Sequence, residues 1–374
     1  MRTRRCIERI VVPLPCLLWL LCGCAPPPDP DGERSAPGPG ETIPLQRGPS
    51  SPPGEEQAFA TDDPRCQAGE PLPEAQVPGG LRDARSAIIP GGRAVTPLGT
   101  LVQLGRAPLG LALSPDGRHA YVTCDGDEAH ALQVIDLEAG AIVQNIEGFQ
   151  AFRGVAASAD GARVVVAAGR SGQLLTFTRD EAGLLVAGPS LQLSGYLGDL
   201  ALSPDGATAY VASNTGSQIF VVDLATLAVG ATHPTGNYPY DLLVERTGRR
   251  LFVSNLAEST VGVVDLVSGE LLATLPTCKS PEGMVLDEAG ARLLVPCADD
   301  DTVMAIDSET LTVTDEFDLS HHPEGLLAAS PTELALSPDG DVLYVVQSDL
   351  NQVDLVVPGS GELQGSLPAG WYPV

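Results

Sequence analysis

The chain has 374 residues, 43% of them hydrophobic but only 4% aromatic, and its 48 acidic against 21 basic side chains give a formal net charge of −27. Such an excess of carboxylates excludes a nucleic-acid-binding surface and electrostatic adhesion to anionic lipid, both of which need a basic face. A core has to be built mainly from Val, Leu, Ala and Gly, which suits layered β-structure better than a large aromatic-lined cavity.

In chain order, Arg2, Arg4 and Arg5 precede the apolar run "IVVPLPCLLWLL", which is too short for a comfortable membrane span. The run ends in Leu21-Cys22-Gly23-Cys24, which resembles a bacterial lipoprotein lipobox. That resemblance implies cleavage after residue 23, lipidation of Cys24 and attachment to a membrane through that lipid. Ala25 follows where an Asp would argue for the inner membrane, so the outer membrane or cell surface is expected, facing periplasm or exterior. An ordinary secretory signal or an uncleaved anchor is the other reading. Residues 24–84 then hold fourteen of the 33 prolines, among Gly, Ser, Asp and Glu, with no period of 2 or 3.6. This is the composition of a disordered tether, spanning roughly 45 Å as a flexible chain.

From residue 85 to 374 the sequence is expected to form one repetitive domain. The phrase "LALSPDG" occurs at 111–117, 200–206 and 334–340, and aligning on its glycine gives Gly117, Gly161, Gly206, Gly248, Gly290 and Gly340. The intervals of 44, 45, 42, 42 and 50 residues each accommodate four short strands, the signature of a β-propeller blade. A small-residue strand ("GLALS", "GVAAS", "DLALS") runs through the turn into a β-rich strand ("HAYVTC", "TAYVASN", "RLFVSN"). The third strand closes on aspartate ("LQVID", "IFVVD", "VGVVD", "VMAID"), and an outer strand follows. In the turn, Pro presets φ, Ser and Asp hydrogen-bond neighbouring N–H groups, and Gly takes positive φ. Asp136, Asp223, Asp265 and Asp307 are read as caps of the turn between third and fourth strands.

The fold expected is therefore all-β, a propeller of four-stranded antiparallel blades with six complete blades and an incomplete seventh. "GTLVQLG" (99–105) would supply the seventh blade's outermost strand and "GWYPV" (370–374) its first. The two middle strands are missing, which is expected of a truncated chain; an open or six-bladed variant is the alternative.

Beyond Cys24 and the leader, the cysteines are Cys66, Cys124, Cys278 and Cys297, an even number suited to an oxidising compartment. With the turn at 287–290, Cys297 falls opposite residue 280, two residues from Cys278. A Cys278–Cys297 disulfide is expected, leaving Cys66 with Cys124; two buried thiols are the alternative.

"AYVTC", "LFVSN" and "AYVASN", each followed by a strand ending in "VVDL" or "VIDL", resemble the YVTN-type repeats of the YncE-like β-propeller family over about 95–374. The segments 86–105 and 330–374 are similar to propellers that are joined to an alkaline-phosphatase-like phosphoesterase domain. That resemblance implies a recognition role for the ring. The chain carries none of that domain's metal ligands, so its activity does not transfer.

Loops leading into each blade and surrounding the axis supply the binding candidates Arg106, Arg153, Tyr196, Asp199, Tyr238, Tyr240, Asp241, Lys279, Glu282, His321, His322, Glu324 and Trp371. This mix suits a polar ligand or peptide; aromatic packing with solvated charges is the plainer reading. Adjacent histidines on extended backbone point to opposite sides, so His321 and His322 do not form a metal pair. The acidic loops 124–130 and 297–303 fit no defined calcium spacing. No catalytic residue, metal site or cofactor is assigned, because no nucleophile elbow, zinc helix or phosphate loop is found. The function expected is that of a lipid-anchored binding module for an extracytoplasmic protein, peptide or polymer, more a binder than an enzyme. The alternative is the recognition part of a phosphoesterase, or a lactonase-like hydrolase with its site in the channel.

Overall fold

A computed structural model describes residues 80–81, 87–88, 94–95, 97, 100–126, 129–287, 289–320, 328–370 and 373–374. Six four-stranded antiparallel meanders occupy 108–147, 155–192, 197–234, 239–276, 285–318 and 331–368, and they form a ring, a β-propeller. Three two-residue strands, Gly80–Leu81, Ala87–Ile88 and Ala94–Val95, make a separate small sheet. No α-helix occurs among the described residues, and none of their helices is long and apolar enough to cross a membrane. The leader, Cys24, the tether and Cys66 lie outside the described residues, as do His321, His322, Glu324 and Trp371.

Each blade is built outward from the axis. First strands of neighbouring blades touch: Gly154 N–H donates to Gly198 O at 3.2 Å and Gly283 N–H to Thr332 O at 3.0 Å. Second strands are buried on both faces, as in Arg250–Asn255 and Arg292–Cys297. Fourth strands such as Ala228–Pro234 form the exposed rim. A blade is apolar on both faces and cannot fold alone, so the core lies in the seams. One seam joins Tyr121, Leu132 and Val134 to Val164, Val166 and Phe177. Another joins Phe252, Val261 and Val263 to Leu293, Val295 and Ile306.

The repeated turn behaves as its chemistry dictates. In blade 1, Ser114 Oγ donates to Asp116 Oδ1 (2.6 Å), which also accepts from Arg118 N (3.0 Å), while Gly117 has φ 66°. Ser158–Asp160, Ser203–Asp205 and Ser337–Asp339 repeat the bond. The closing aspartates cap the next turn, each Oδ1 accepting the N–H groups two and three residues on, as Asp265 does from Val267 (2.9 Å) and Ser268 (2.8 Å).

Residues 101–105 are not paired into a sheet. They still pack on the face of blade 1 opposite blade 2, with Val102 and Leu104 buried against Ala120, Val122 and Ile135. Cys278 and Cys297 are joined as a disulfide with Cα atoms 5.6 Å apart, tying the loop that leads into blade 5 to that blade's second strand. Cys124 is buried, and its thiol lies 3.6 Å from Gln133 Oε1.

Candidate functional site

One position of the repeat aims side chains at the axis. It is the residue seven before the turn glycine, and in blades 1 to 6 it is Gly110, Gly154, Asp199, Asp241, Gly283 and Glu333. Here the register between first and second strands slips, between 108 and 110, 197 and 200, 239 and 242, and 331 and 333. Such bulges redirect a side chain out of the alternating pattern. The preceding residue, Arg153 in blade 2, Tyr240 in blade 4 and Glu282 in blade 5, contributes beside it.

These residues form a hub around one guanidinium. Arg153 Nη2 donates to Glu333 Oε2 (2.8 Å) and Oε1 (3.1 Å), although 180 residues separate the two. Arg153 Nη1 donates to the Tyr240 hydroxyl at 3.2 Å, and its charge lies 4.4 Å from the centre of that ring. Asp241 Oδ1 is 3.6 Å from Nη2. Gly283 makes the long reach possible, because a Cβ there would stand 1.9 Å from Glu333 Oε1. The carboxylates also tie blades together: Asp199 Oδ2 accepts Leu242 N–H (3.2 Å) and Asp241 Oδ2 accepts Met284 N–H (2.8 Å).

Four carboxyls therefore share one resident cation. Burial raises all four. Asp241 is pushed up to about 7 by burial and the neighbouring Asp199, against the pull of Arg153. Glu282 is pushed up to about 7 by burial, again against Arg153. Asp199 and Glu333 are raised by the same cause. Burial would strip the Arg153 proton, but the surrounding Glu333, Tyr240, Asp241 and Asp199 hold it more firmly than in water.

Aromatic rings stand where the chain enters these strands. Phe152 and Tyr196 pack edge to face, centroids 4.9 Å apart at 84°. Burial pushes the Tyr196 hydroxyl up to about 12, with Asp125 and Tyr238 adding to it. Tyr238 is 37% exposed and held at φ 57°, a conformation costly for a bulky side chain. The same repeat position in blades 1, 5 and 6 holds the smaller Ala107, Ser280 and Ser330, all at positive φ.

Of the sequence candidates, the structure gathers Arg153, Asp199, Tyr240, Asp241 and Glu282 into the hub, while Tyr196 and Tyr238 stand immediately ahead of the first strands of blades 3 and 4. Lys279 is exposed, with Nζ paired to Asp300 Oδ1 at 2.9 Å, and Arg106 is exposed; neither is among the hub's partners. Glu333 was not foreseen. The innermost strand of blade 6 begins at Pro331, and its axial residue comes nine positions after Glu324 in the sequence. Counting back seven from Gly340 identifies it. The carboxylates of loop 297–303 are engaged locally, Asp301 Oδ1 accepting Ala329 and Ser330 N–H groups. Among the described residues, no three His, Cys, Asp or Glu side chains are grouped as metal ligands.

No protein-family model and no curated protein matches the chain. Solved structures do. Hydrazine synthase of Kuenenia stuttgartiensis is 17% identical, with a TM-score of 0.62 over 71% of this chain and 88% of that one. A protein from Lactobacillus plantarum is 15% identical, with a TM-score of 0.61 over 77% and 92%. A candidate 6-phosphogluconolactonase from Bacteroides uniformis is 16% identical, with a TM-score of 0.60 over 75% and 90%. At such identities the likeness is one of fold, and the fold it shows is the β-propeller.

Proposed function

We propose that this chain is an extracytoplasmic binding module, lipid-anchored at Cys24 and carried clear of an outer membrane or cell surface by its proline-rich tether. Its axial mouth recognises a polar group on a partner protein, peptide or polymer. The observation that carries this reading is the convergence of Arg153, Asp199, Tyr240, Asp241, Glu282 and Glu333, from five blades, with Phe152, Tyr196 and Tyr238 standing just ahead of the first strands of blades 2, 3 and 4. Charged groups from separate blades cost desolvation to assemble, and a strained, exposed tyrosine beside them adds contact area at a recognition surface. The net charge of −27 favours cationic or neutral partners and disfavours nucleic acid.

A second reading, a lactonase-like hydrolase, draws on one observation. Asp241 and Glu282 are held near pH 7, which is where a general base works best. A thermal-shift screen of the full-length protein in detergent, against peptides, glycans and lactones, separates the two. Binding predicts a ligand whose stabilisation, which follows RT ln(1 + [L]/Kd), is lost in Tyr238→Ala. Lactone turnover that disappears in Glu282→Gln would favour the hydrolase. If no ligand responds to Tyr238→Ala and nothing is turned over, the axial mouth is not the functional site.

A further inference from the structure

The seams between blades are not alike. In each blade the residue six before the turn glycine faces the blade that precedes it. Val155, Leu200, Leu242, Met284 and Leu334 hold that place in blades 2 to 6 and are all buried. Each joins a cluster with the second and third strands of the preceding blade, as Val155 does with Tyr121, Leu132 and Val134, and Leu242 with Tyr210, Ala212 and Ile219. Leu111 holds the same place in blade 1 and is 50% exposed; Leu113, two residues on, is 39% exposed. Across this seam, Tyr344, Val346, Val353 and Leu355 of blade 6 are only half-buried, whereas their blade 5 counterparts Leu294, Pro296, Val303 and Ala305 are buried.

What the seam lacks is specific. The place of a preceding fourth strand is taken: Val102 and Leu104 stand fifteen and thirteen residues before Gly117, as Leu191 and Leu193 do before Gly206. Val102 and Leu104 pack with Val122 and Ile135 of blade 1, as Leu191 and Leu193 pack with Val211 and Val222 of blade 3. Missing are a second and a third strand, which in the order of a blade come directly ahead of the fourth. The small sheet has that form and that position. Ala87–Ile88 pairs antiparallel with Ala94–Val95, Ile88 opposite Ala94, and Leu101 follows Val95 by six residues. In blade 3, likewise, Ser213 pairs with Gln218 and the fourth strand begins five residues after Asp223. Small and β-branched residues are what a blade's middle strands require.

We propose that the small sheet docks in the seam between blades 6 and 1, with Ala87–Ile88 and Ala94–Val95 as the second and third strands of a seventh blade whose fourth strand is 101–105. Docking removes Leu111, Leu113 and the half-buried face of blade 6 from water, which is its driving force. The occupant is this chain's own, because the sheet is tied by a short link to a segment already seated on blade 1, and a second copy has to compete with that local concentration. The middle strands that the repeat count leaves unassigned are thus carried ahead of the first blade. The proline-rich segment then leads straight into the blade that seals the ring.

The test labels Leu111→Cys with N-ethylmaleimide in the full-length protein in detergent and follows the modified peptide by mass spectrometry. Val267→Cys, at an 83% exposed site, sets the open rate. Leu200→Cys, at the buried counterpart in blade 3, sets the closed one. We expect Leu111→Cys to label roughly tenfold or more slowly than Val267→Cys, and Val95→Asp to restore at least that factor by opening the seam, while Leu200→Cys stays slow.

Equal rates for Leu111→Cys and Val267→Cys would show an open seam and overturn the proposal. A slow rate that Val95→Asp leaves unchanged would overturn it too, since something else then covers Leu111. Protection that grows with protein concentration would assign the seam to a second copy, against the proposal. If Val95→Asp unfolds the ring, seen as fast labelling of Leu200→Cys, a crosslink decides. Leu111→Cys combined in turn with Ala94→Cys and Val95→Cys should give an intrachain disulfide in one of the two pairs, and its absence from both would sink the docking.

Discussion

Aspartates on the turn side of the ring and aspartates on its axis are chemically the same group in opposite states. Asp116, Asp160, Asp205 and Asp339 sit in solvent and accept from a serine and a backbone N–H within two residues. Those bonds stabilise the carboxylate and lower its pKa, first through the serine. Asp241 is buried and Asp199 half-buried; both accept from the next blade and are raised by burial. The first group shapes a local turn and is replaceable blade by blade. The second ties blade 3 to blade 4, blade 4 to blade 5, and both to the Arg153 of blade 2. Solvation and sequence separation, more than residue type, decide what an aspartate does here.

The largest expected effect comes from removing the cation at the centre. Arg153→Met leaves Glu333 and Asp241 buried without their counter-charge, and loss of one partner of a buried ionic network costs about 3–5 kcal/mol. Urea denaturation should show that loss as a lower midpoint. A midpoint within error of the wild type would mean the hub adds nothing to ring stability.

Proton linkage gives the next effect. Unfolded carboxyls titrate near pH ~4. A hub carboxyl raised to about 7 therefore contributes stability that is full below pH ~4 and is lost as pH rises through its folded value. The turn aspartates have the opposite sign: their contribution is present above pH ~4 and is lost as pH falls. Stability should peak on the acid side of neutrality, with the melting temperature falling by roughly 4 °C or more between pH 5 and pH 8. Asp241→Asn should flatten that limb. An unchanged limb in the variant would assign the decline to general charge repulsion instead.

Smallest of all should be Asp205→Ala. Its carboxylate is exposed, and its loss breaks one turn among several alike. The melting temperature should shift little, and the decline between pH 5 and pH 8 should keep its slope. A loss as large as that of Arg153→Met would erase the distinction between the two groups.

The same distinction explains what could be read from sequence. The turns, the four strands of each blade and the capping aspartates are written in contacts a few residues apart, and Ser-Pro-Asp-Gly carries its own hydrogen-bonding partners. Arg153, Asp199, Tyr240, Asp241 and Glu282 were visible as polar residues near the start of first strands. Their union was not, because it spans 180 residues from Arg153 to Glu333 and depends on bulges that no local pattern announces. Glu333 is legible by its constant distance from the turn glycine, although the interval that contains it is the longest of the five, at 50 residues.

Gly283, Glu333 and Arg153 form a set that cannot drift independently. A side chain at Gly283 evicts the Glu333 carboxylate, which strands Arg153, so a change in blade 5 is felt as a charge defect in blade 2. An aspartate there, like those of blades 3 and 4, would compete with the glutamate of blade 6 for the same space. The centre of the ring is in that sense one coupled unit, while each turn closes on its own partners.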